Sequence, residues 1–204
     1  MLPFALLPNV SNESANPPRG KPVTRRSVLS RRDALSVAER VPAEARITDE
    51  VMALLARVPK GSFVGLYAAK GSEVATTGID ARARAAGLRV AYPIVESGAR
   101  QLAFAEAQIG ELVAGPYGLR EPGASAVRVP LAEIAAFLVP GVAFDRSGGR
   151  IGWGRGHYDA TLAAAPAALR IGLAFECQVL DRVERDPHDA VLHHVVTEVA
   201  SYRS

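Results

Sequence analysis

Residues 140–159 read PGVAFDRSGGRIGWGRGHYD, and this segment decides how we expect the chain to fold. The apolar run Ala135–Val139 in front of it predicts a buried strand that ends at Pro140. His157–Ala165 has the composition of a helix that stops before Pro166. Five glycines between positions 148 and 156 connect the two elements. A strand, a loop and a helix in this order form the repeating unit of a layered α/β fold.

The same alternation continues on both sides of this segment. Apolar residues at helical spacing from Val23 to Val58, punctuated by Pro42 and Pro59, fit two helices. Another helix is predicted at Ile79–Ala86. Strands are predicted at Ser62–Tyr67, Leu88–Val95, Gln101–Ala107, Leu169–Phe175 and Val195–Tyr202. Several of these strands are continuous apolar runs, so we predict an α/β fold with an open, mostly parallel central sheet flanked by helices.

Length and composition limit the class of protein. The chain has 204 residues and a formal net charge of +3, which does not require nucleic acid as a partner. We expect a flexible tail over residues 1–20 and a single domain over residues 21–204. No apolar run reaches the roughly 18 residues that a membrane helix needs, and Met1–Pro8 lacks the basic region of a secretory signal. The single cysteine, Cys177, excludes an intrachain disulfide, so we expect a cytoplasmic protein, and we expect it to be a monomer.

The glycine-rich loop carries the chemistry that the sequence predicts. Three features of the loop together predict an anion site. They are backbone N–H groups left accessible by glycine, the guanidinium groups of Arg146, Arg150 and Arg155, and the N-terminus of a helix that begins just after them. Phosphate fits such a site best. The loop has neither the Walker A pattern nor the G-x-G-x-x-G spacing of a dinucleotide fingerprint. On glycine content alone, a tight surface turn is an equal alternative.

The loop also resembles a known family. Residues 140–159 are similar to the signature of 5-formyltetrahydrofolate cyclo-ligases, also called methenyltetrahydrofolate synthetases, which runs P-G-x-x-F-D, a short spacer, and G-x-R-[LI]-G-x-G-x-G-[YH]-Y-D. Further similarity follows in the family's order over about residues 21 to 200. It comprises Lys21–Arg25, Tyr67 with Gly71–Val74, Tyr117–Pro122, His188-Asp189 and Thr197-Glu198.

This resemblance implies a fold like that of ribose-phosphate isomerases and CoA transferases. It implies ATP-dependent conversion of 5-formyltetrahydrofolate, with or without a polyglutamate tail, to 5,10-methenyltetrahydrofolate, through phosphorylation of the formyl oxygen. It also implies roles for individual residues. ATP would be bound by Lys21, Arg25, Arg150, Ile151, Gly152, Trp153, Gly154, Arg155, Gly156, His157 and Tyr158. Arg150 and Tyr158 would be catalytic, Asp159 and Asp189 would hold Mg²⁺, and Tyr67, Glu73 and Tyr117 would bind the folate.

Each of these assignments has a plainer alternative. Lys21 and Arg25 also suit a solvated helix start, Asp159 a helix cap, and Glu73 an exposed loop acid. Asp189 also suits a loop, and the tyrosines suit a core. For the whole chain, a non-catalytic nucleotide-binding or regulatory protein is one alternative. A nucleic-acid-binding protein that uses Arg25, Arg26, Arg31 and Arg32 is another, which we rank lower because no aromatic residue is interleaved with them. His188, His193 and His194 lack the spacing of a zinc site.

Overall fold

The computed structural model describes residues 20–204, so most of the predicted tail lies outside the described residues. Four α-helices occur in this part of the chain. They are α1 (Lys21–Asp33), α2 (Val37–Leu55), α3 (Thr77–Ala85) and α4 (His157–Ala164). The strands are β1 (Phe63–Gly65), β2 (Arg89–Ile94), β3 (Ala103–Glu106), β4 (Val113–Ala114), β5 (Arg120–Glu121), β6 (Arg128–Val129), β7 (Ile134–Val139), β8 (Ala143–Asp145), β9 (Arg150–Ile151), β10 (Leu169–Leu173), β11 (Val179–Leu180), β12 (His194–Val196) and β13 (Ser201–Arg203).

An eight-stranded sheet forms the centre of the fold, in the order β13-β12-β10-β7-β1-β2-β3-β6. The pairs from β12 through β10, β7 and β1 to β2 are parallel, whereas the pairs at both ends of the sheet are antiparallel. The predicted open, mostly parallel sheet with flanking helices is therefore confirmed. Strand β11 pairs with β8, and β8 pairs with β9, in a separate three-stranded sheet that leads into the glycine-rich loop.

Both faces of the central sheet are covered. In β7, Ala136 and Leu138 pack in one core cluster with residues of α2 and α3, whereas Phe137 and Val139 pack in the other with Leu162 of α4. This alternation follows from the two-residue period of a strand. Because hydrophobic cores on both faces fix the central strands, the loops at the strand ends stand on a rigid base.

The boundary between the first two helices differs from the prediction. Residues 34–36 separate α1 from α2, and Pro42 lies inside α2. Ser36 and Glu39 form a capping box in which each side chain accepts a hydrogen bond from the other residue's backbone N–H, which gives α2 a strong start. Pro42 removes one helical hydrogen bond, but burial of residues such as Ile47 and Val51 holds the helix together.

The prediction of one terminal strand over Val195–Tyr202 is wrong. The segment forms the antiparallel hairpin of β12 and β13. Thr197 closes the turn, since its hydroxyl oxygen accepts the N–H groups of Val199 and Ala200 at 3.2 and 3.1 Å. A side chain that bonds the backbone two or three residues away favours a turn over a continuing strand. Over residues 20–204, no helix combines the length and apolarity needed to cross a membrane.

Candidate active site

A cleft of about 880 Å³ opens where β7, β1 and β2 end. Pro140 follows β7, Tyr67 comes two residues after β1, and Val95 follows β2. In open α/β sheets, ligands bind outside the carboxyl ends of the strands. Every residue to which the family resemblance gives a role in ATP binding, folate binding, catalysis or metal binding lines this cleft. Arg146, which we also predicted for the anion site, does not line it, and its guanidinium carbon lies 5.3 Å from the centroid of the Tyr202 ring instead. The structure thus brings together residues from five separate parts of the chain, without by itself assigning their roles.

Asp145, at the end of β8, holds the start of the glycine-rich loop. Its Oδ1 accepts the N–H groups of Ser147 and Gly149, both at 2.9 Å, and its Oδ2 accepts the N–H of Val183 at 3.0 Å. Only 1% of Asp145 is exposed. Burial alone would raise the pKa of this carboxyl, but the hydrogen bonds from Val183, Ser147 and Gly149 outweigh it and lower the pKa.

We expect Asp145→Asn to lower the free energy of unfolding by about 2 kcal/mol at neutral pH, because an amide N–H₂ replaces an acceptor of buried N–H groups. The lowered pKa of Asp145 means that its contribution is present above the unfolded pKa of about 4 and is lost as pH falls through the folded value. Urea unfolding between about pH 6 and pH 2 should therefore show a shallower acid decline in the variant than in the wild type. Parallel curves would show that the Asp145 charge contributes nothing.

Arg150, on β9, is nearly fully buried beside α4. Its guanidinium donates to Asp159 Oδ1 at 2.8 Å and to the carbonyl of Ala190 at 3.2 Å. The N–H of Ala190 donates back to the same Asp159 oxygen at 3.1 Å. Asp159 is the third residue of α4, and Gly156 occupies the cap position, so the alternative of Asp159 as the helix cap is wrong. Arg150, Asp159 and Ala190 thus tie β9, α4 and the 186–190 loop together at the floor of the cleft.

Lys21, the first residue of α1, lies between two carboxylates. Its Nζ is 2.6 Å from Asp186 and 2.9 Å from Asp189. Burial lowers the pKa of Lys21, but the bonds to Asp186 and Asp189 more than offset this, and the net pKa is raised. Burial acts to raise the pKa of Asp189, but hydrogen bonds from the backbone N–H of Asp186 and from Lys21 outweigh this effect, and the net pKa is lowered. The pair is therefore fully charged at neutral pH.

The same loop contains a possible cation site. Within residues 20–204, one group of three potential metal ligands lies close together, namely Asp186, His188 and Asp189, with ligand atoms within 4.8 Å of one another. The family resemblance implies a Mg²⁺ ligand at Asp189, but not at Asp186 or His188. Asp159 does not join this group, since its Oδ1 is bound to Arg150 and Ala190. The sequence gives no signal for Asp186, because this acid lies in an exposed loop with no periodic pattern around it.

Arg25 attaches α1 to the glycine-rich loop. Its Nε donates to the carbonyl of Gly152 at 2.8 Å. Seven residues further along the helix, Arg32 is only 2% exposed and donates to the Ser72 hydroxyl at 2.9 Å. Arg26 and Arg31 remain exposed. The four arginines therefore do not form the continuous exposed face that the nucleic-acid hypothesis requires.

Glu73 and Tyr67 lie on the opposite wall of the cleft. Glu73 is only 9% exposed, and its Oε2 accepts the backbone N–H of Lys70 at 3.0 Å. The alternative of an exposed loop acid is therefore wrong. Tyr67 is buried, and its hydroxyl donates to the carbonyl of Val74 at 2.9 Å, so this tyrosine shapes the 67–74 wall. Burial, followed by the negative charge of Glu73, raises the pKa of Tyr67 well above its usual value.

Tyr117 is exposed and pairs with Arg155. The guanidinium carbon of Arg155 lies 3.6 Å from the centroid of the Tyr117 ring, a close cation–π contact. Among residues 20–204, Tyr117 is the only non-glycine residue with a positive φ, at 59°. Strained backbone of this kind persists where the surrounding structure enforces it, and it clusters at binding sites. The alternative that Tyr117 belongs to the core is wrong.

The remaining loop residues differ in what they present to the cleft. Ile151 is 2% exposed and packs with Val28 of α1, so only its backbone can meet a ligand. The first residue of α4, His157, places its Nδ1 at 3.1 Å from the carbonyl oxygen of Arg100. The Tyr158 hydroxyl is buried and has no hydrogen-bond partner within the described residues. Burial, then the charge of Glu73, raises the pKa of Tyr158, so this hydroxyl stays protonated at neutral pH.

These features define an α/β protein with a basic cleft at the carboxyl edge of its parallel strands, the place where open α/β proteins bind their ligands. A protein-family model, described as the 5-formyltetrahydrofolate cyclo-ligase family, matches residues 18–198. The chain therefore belongs to the 5-formyltetrahydrofolate cyclo-ligase family, as its resemblance implied.

Individual relatives agree with this assignment. The chain is 35% identical over 143 residues to the 5-formyltetrahydrofolate cyclo-ligase of Mycolicibacterium smegmatis, which covers 67% of this chain and 74% of the relative. The NMR structure of Aquifex aeolicus 5,10-methenyltetrahydrofolate synthetase superposes with a TM-score of 0.72 at 30% identity, covering 90% of this chain and 92% of that one. The Mycoplasma pneumoniae 5,10-methenyltetrahydrofolate synthetase gives the same TM-score at 24% identity, covering 87% and 98%, which supports the fold alone.

Proposed function

We propose that the protein catalyses the ATP-dependent cyclisation of 5-formyltetrahydrofolate to 5,10-methenyltetrahydrofolate, with release of ADP and phosphate. One observation carries the proposal: a single cleft joins the glycine-rich loop and its cations to the buried carboxylate of Glu73. Loop N–H groups together with Lys21, Arg25 and Arg150 suit a triphosphate. A buried carboxylate suits the N–H donors of a pterin ring. Family membership connects these two ligand chemistries to one reaction.

The proposed reaction has two steps. The formyl oxygen attacks the γ-phosphorus, and the bond to the bridging oxygen breaks as ADP leaves. N10 then attacks the activated carbon and gives up its proton, the carbon–oxygen bond breaks, and phosphate leaves as the ring closes. A formamide carbon is a poor electrophile until its oxygen becomes part of a leaving group. Positioning and charge neutralisation therefore supply most of the rate enhancement.

We propose that two residues, Arg150 and Tyr158, assist these steps. Arg150 brings a fixed positive charge to the floor of the cleft, where its Asp159 and Ala190 partners hold its orientation. The Tyr158 hydroxyl is buried, protonated and without a partner among the described residues, so it is free to donate to a phosphate or formyl oxygen. Fixed donors aimed at developing negative charge are the usual source of such stabilisation.

The residues of the 186–189 loop fit a Mg²⁺ ion that accompanies ATP. Asp186 and Asp189 supply the carboxylate oxygens that this ion prefers, and Lys21 already balances their charge in the described state. Bound there, the ion would neutralise phosphate charge. The family resemblance also implies Asp159 as a ligand of this ion. It lies outside the group formed by Asp186, His188 and Asp189, and its Oδ1 is bound to Arg150 and Ala190, so Oδ2 is the oxygen left for the ion.

The decisive assay mixes the purified protein with ATP, Mg²⁺ and 5-formyltetrahydrofolate and follows the absorbance of the methenyl product. Product formation that requires both ATP and folate supports the proposal. A folded protein that binds ATP but makes no product would instead support the non-catalytic nucleotide-binding alternative.

For the folate side, we expect Glu73→Gln to lower kcat/KM for 5-formyltetrahydrofolate by about 10- to 100-fold, because the pterin N–H groups lose a charged acceptor. The KM for ATP should change little. Glu133→Gln, at an exposed acid outside the cleft, is the matched control and should behave like the wild type. If the Glu73 variant kept its kcat/KM for folate, Glu73 would not bind the substrate.

A further inference from the structure

Trp153 is the only tryptophan of the chain, and it stands at the tip of the glycine-rich loop. The family resemblance implies a contact between Trp153 and ATP. The structure instead places the indole against the folate-side wall, where its N–H donates to Glu73 Oε1 at 3.1 Å. The two residues are 80 positions apart in sequence. About half of the Trp153 surface is exposed, whereas Glu73 beneath it is buried.

Both oxygens of the Glu73 carboxylate accept a hydrogen bond. Lys70 N–H donates to Oε2 at 3.0 Å, and the Trp153 indole donates to Oε1 at 3.1 Å. A carboxylate oxygen can accept more than one hydrogen bond, so both Glu73 oxygens can still accept a hydrogen bond from a ligand. Two donors from different segments fix the plane of the carboxylate before any ligand arrives, which lowers the cost of ordering it on binding.

A second side chain of the glycine-rich loop also reaches across the cleft to the folate-side wall. Arg155 stacks on Tyr117, which stands on the folate-side wall, at 3.6 Å. By contrast, the loop backbone is held from the other side, where Arg25 donates to the carbonyl of Gly152. The side chains at 153 and 155 therefore contact the folate-side wall, whereas the backbone at Gly152 is bound by Arg25 of α1 and Gly154 lies close to the same arginine.

We infer that Trp153 is a positioning residue of the folate subsite, whose indole N–H orients the Glu73 carboxylate toward a planar ligand that presents adjacent N–H donors. This inference rests on the proposed function for its substrate class, a pterin. It removes the Trp153 side chain from the set that contacts the triphosphate.

The test compares Trp153→Phe, which keeps an aromatic ring but removes the N–H, with Trp153→His, which retains a ring N–H. Losing a hydrogen bond to a charged group should raise the KM for 5-formyltetrahydrofolate about tenfold in the Phe variant. The KM for ATP should change by less than about twofold, since the loop backbone is untouched. The His variant should recover part of the folate affinity.

A double-variant cycle with Glu73→Gln shows whether Trp153 acts through Glu73. In the Glu73→Gln background, Trp153→Phe should add less than about a twofold further change in the KM for folate, because coupled residues are not additive. An equal tenfold effect in both backgrounds would overturn the inference. A rise in the KM for ATP alone would also overturn it. So would a fall in the KM for folate, because that result would show that the indole blocks access to Glu73.

A binding readout separates this inference from the proposed reaction. Protein labelled with 5-fluorotryptophan should give a single ¹⁹F NMR resonance from Trp153. Addition of 5-formyltetrahydrofolate should shift that resonance in the wild type and not in Glu73→Gln, even if the wild type does not turn over. Absence of turnover would refute the proposed function alone. A resonance that responds to ATP but not to folate would refute the placement of Trp153.

Discussion

Replacing Arg150 with methionine is expected to reduce turnover by about 100- to 1000-fold, the effect of removing one fixed donor from a site of developing negative charge. The same change should lower the free energy of unfolding by roughly 2 to 4 kcal/mol, because it removes the ion-pair partner of Asp159, whose side chain is mostly buried. Initial rates with saturating ATP and folate, together with urea unfolding, measure the two effects separately.

Arg84 offers a matched control for that experiment. Like Arg150, it bridges an aspartate, Asp80, and a backbone carbonyl, that of Ala107, but it lies outside the cleft. Arg84→Met should cost a comparable amount of stability and leave turnover near that of the wild type at temperatures where both proteins are folded. If both variants lost activity in proportion to stability, Arg150 would be a structural residue only.

Gly148→Ala is expected to be the most destabilising small substitution in the loop, with a loss of about 3 to 5 kcal/mol. Gly148 has a φ of 79°, and a Cβ added there would lie 2.2 Å from the carbonyl oxygen of Leu192. The neighbouring backbone cannot retreat easily, because Leu192 N–H donates to the Gly148 carbonyl at 2.9 Å. Thermal or urea unfolding of the purified variant measures the loss.

Two other glycines of the same loop separate steric clash from backbone strain. At Gly156 φ is 71° and the space around a Cβ is open, so Gly156→Ala should cost only about 1 kcal/mol. Gly152 has open space and no positive φ, so Gly152→Ala should stay within about 0.5 kcal/mol of the wild type. If Gly148→Ala were as mild as Gly152→Ala, the loop backbone at Gly148 would not pack closely against the carbonyl of Leu192.

The sequence predicted most of what is local. Apolar runs located the central strands, because a strand buried on both faces reads as a continuous hydrophobic segment. It misplaced the first helix boundary because a proline is a stronger sequence signal than the Ser36 capping box that sets the break. It missed the C-terminal turn because Thr197 looks like a strand residue until its hydroxyl bonds the backbone two and three residues later.

The candidate site divides in the same way. The loop and the family followed from the sequence, since these depend on residue types in fixed order. The resemblance to that family predicted most of the residues that line the cleft, but Asp186 lines it without having been predicted and Arg146 does not line it. Which side chain meets which did not follow. Lys21 and Asp189 are 168 positions apart, and their contact exists only because α1 packs across the end of the 186–189 loop.

By itself, then, the sequence determined the layered α/β class, the position of the glycine-rich loop and the family, because helical and strand periodicity and a twenty-residue motif are properties of neighbouring residues. Only the tertiary structure decided that the Trp153 indole donates to Glu73, that Arg155 stacks on Tyr117 and that Arg150 forms an ion pair with Asp159. Such pairs depend on how the sheet closes and on which groups are buried together, and no local pattern encodes those distances.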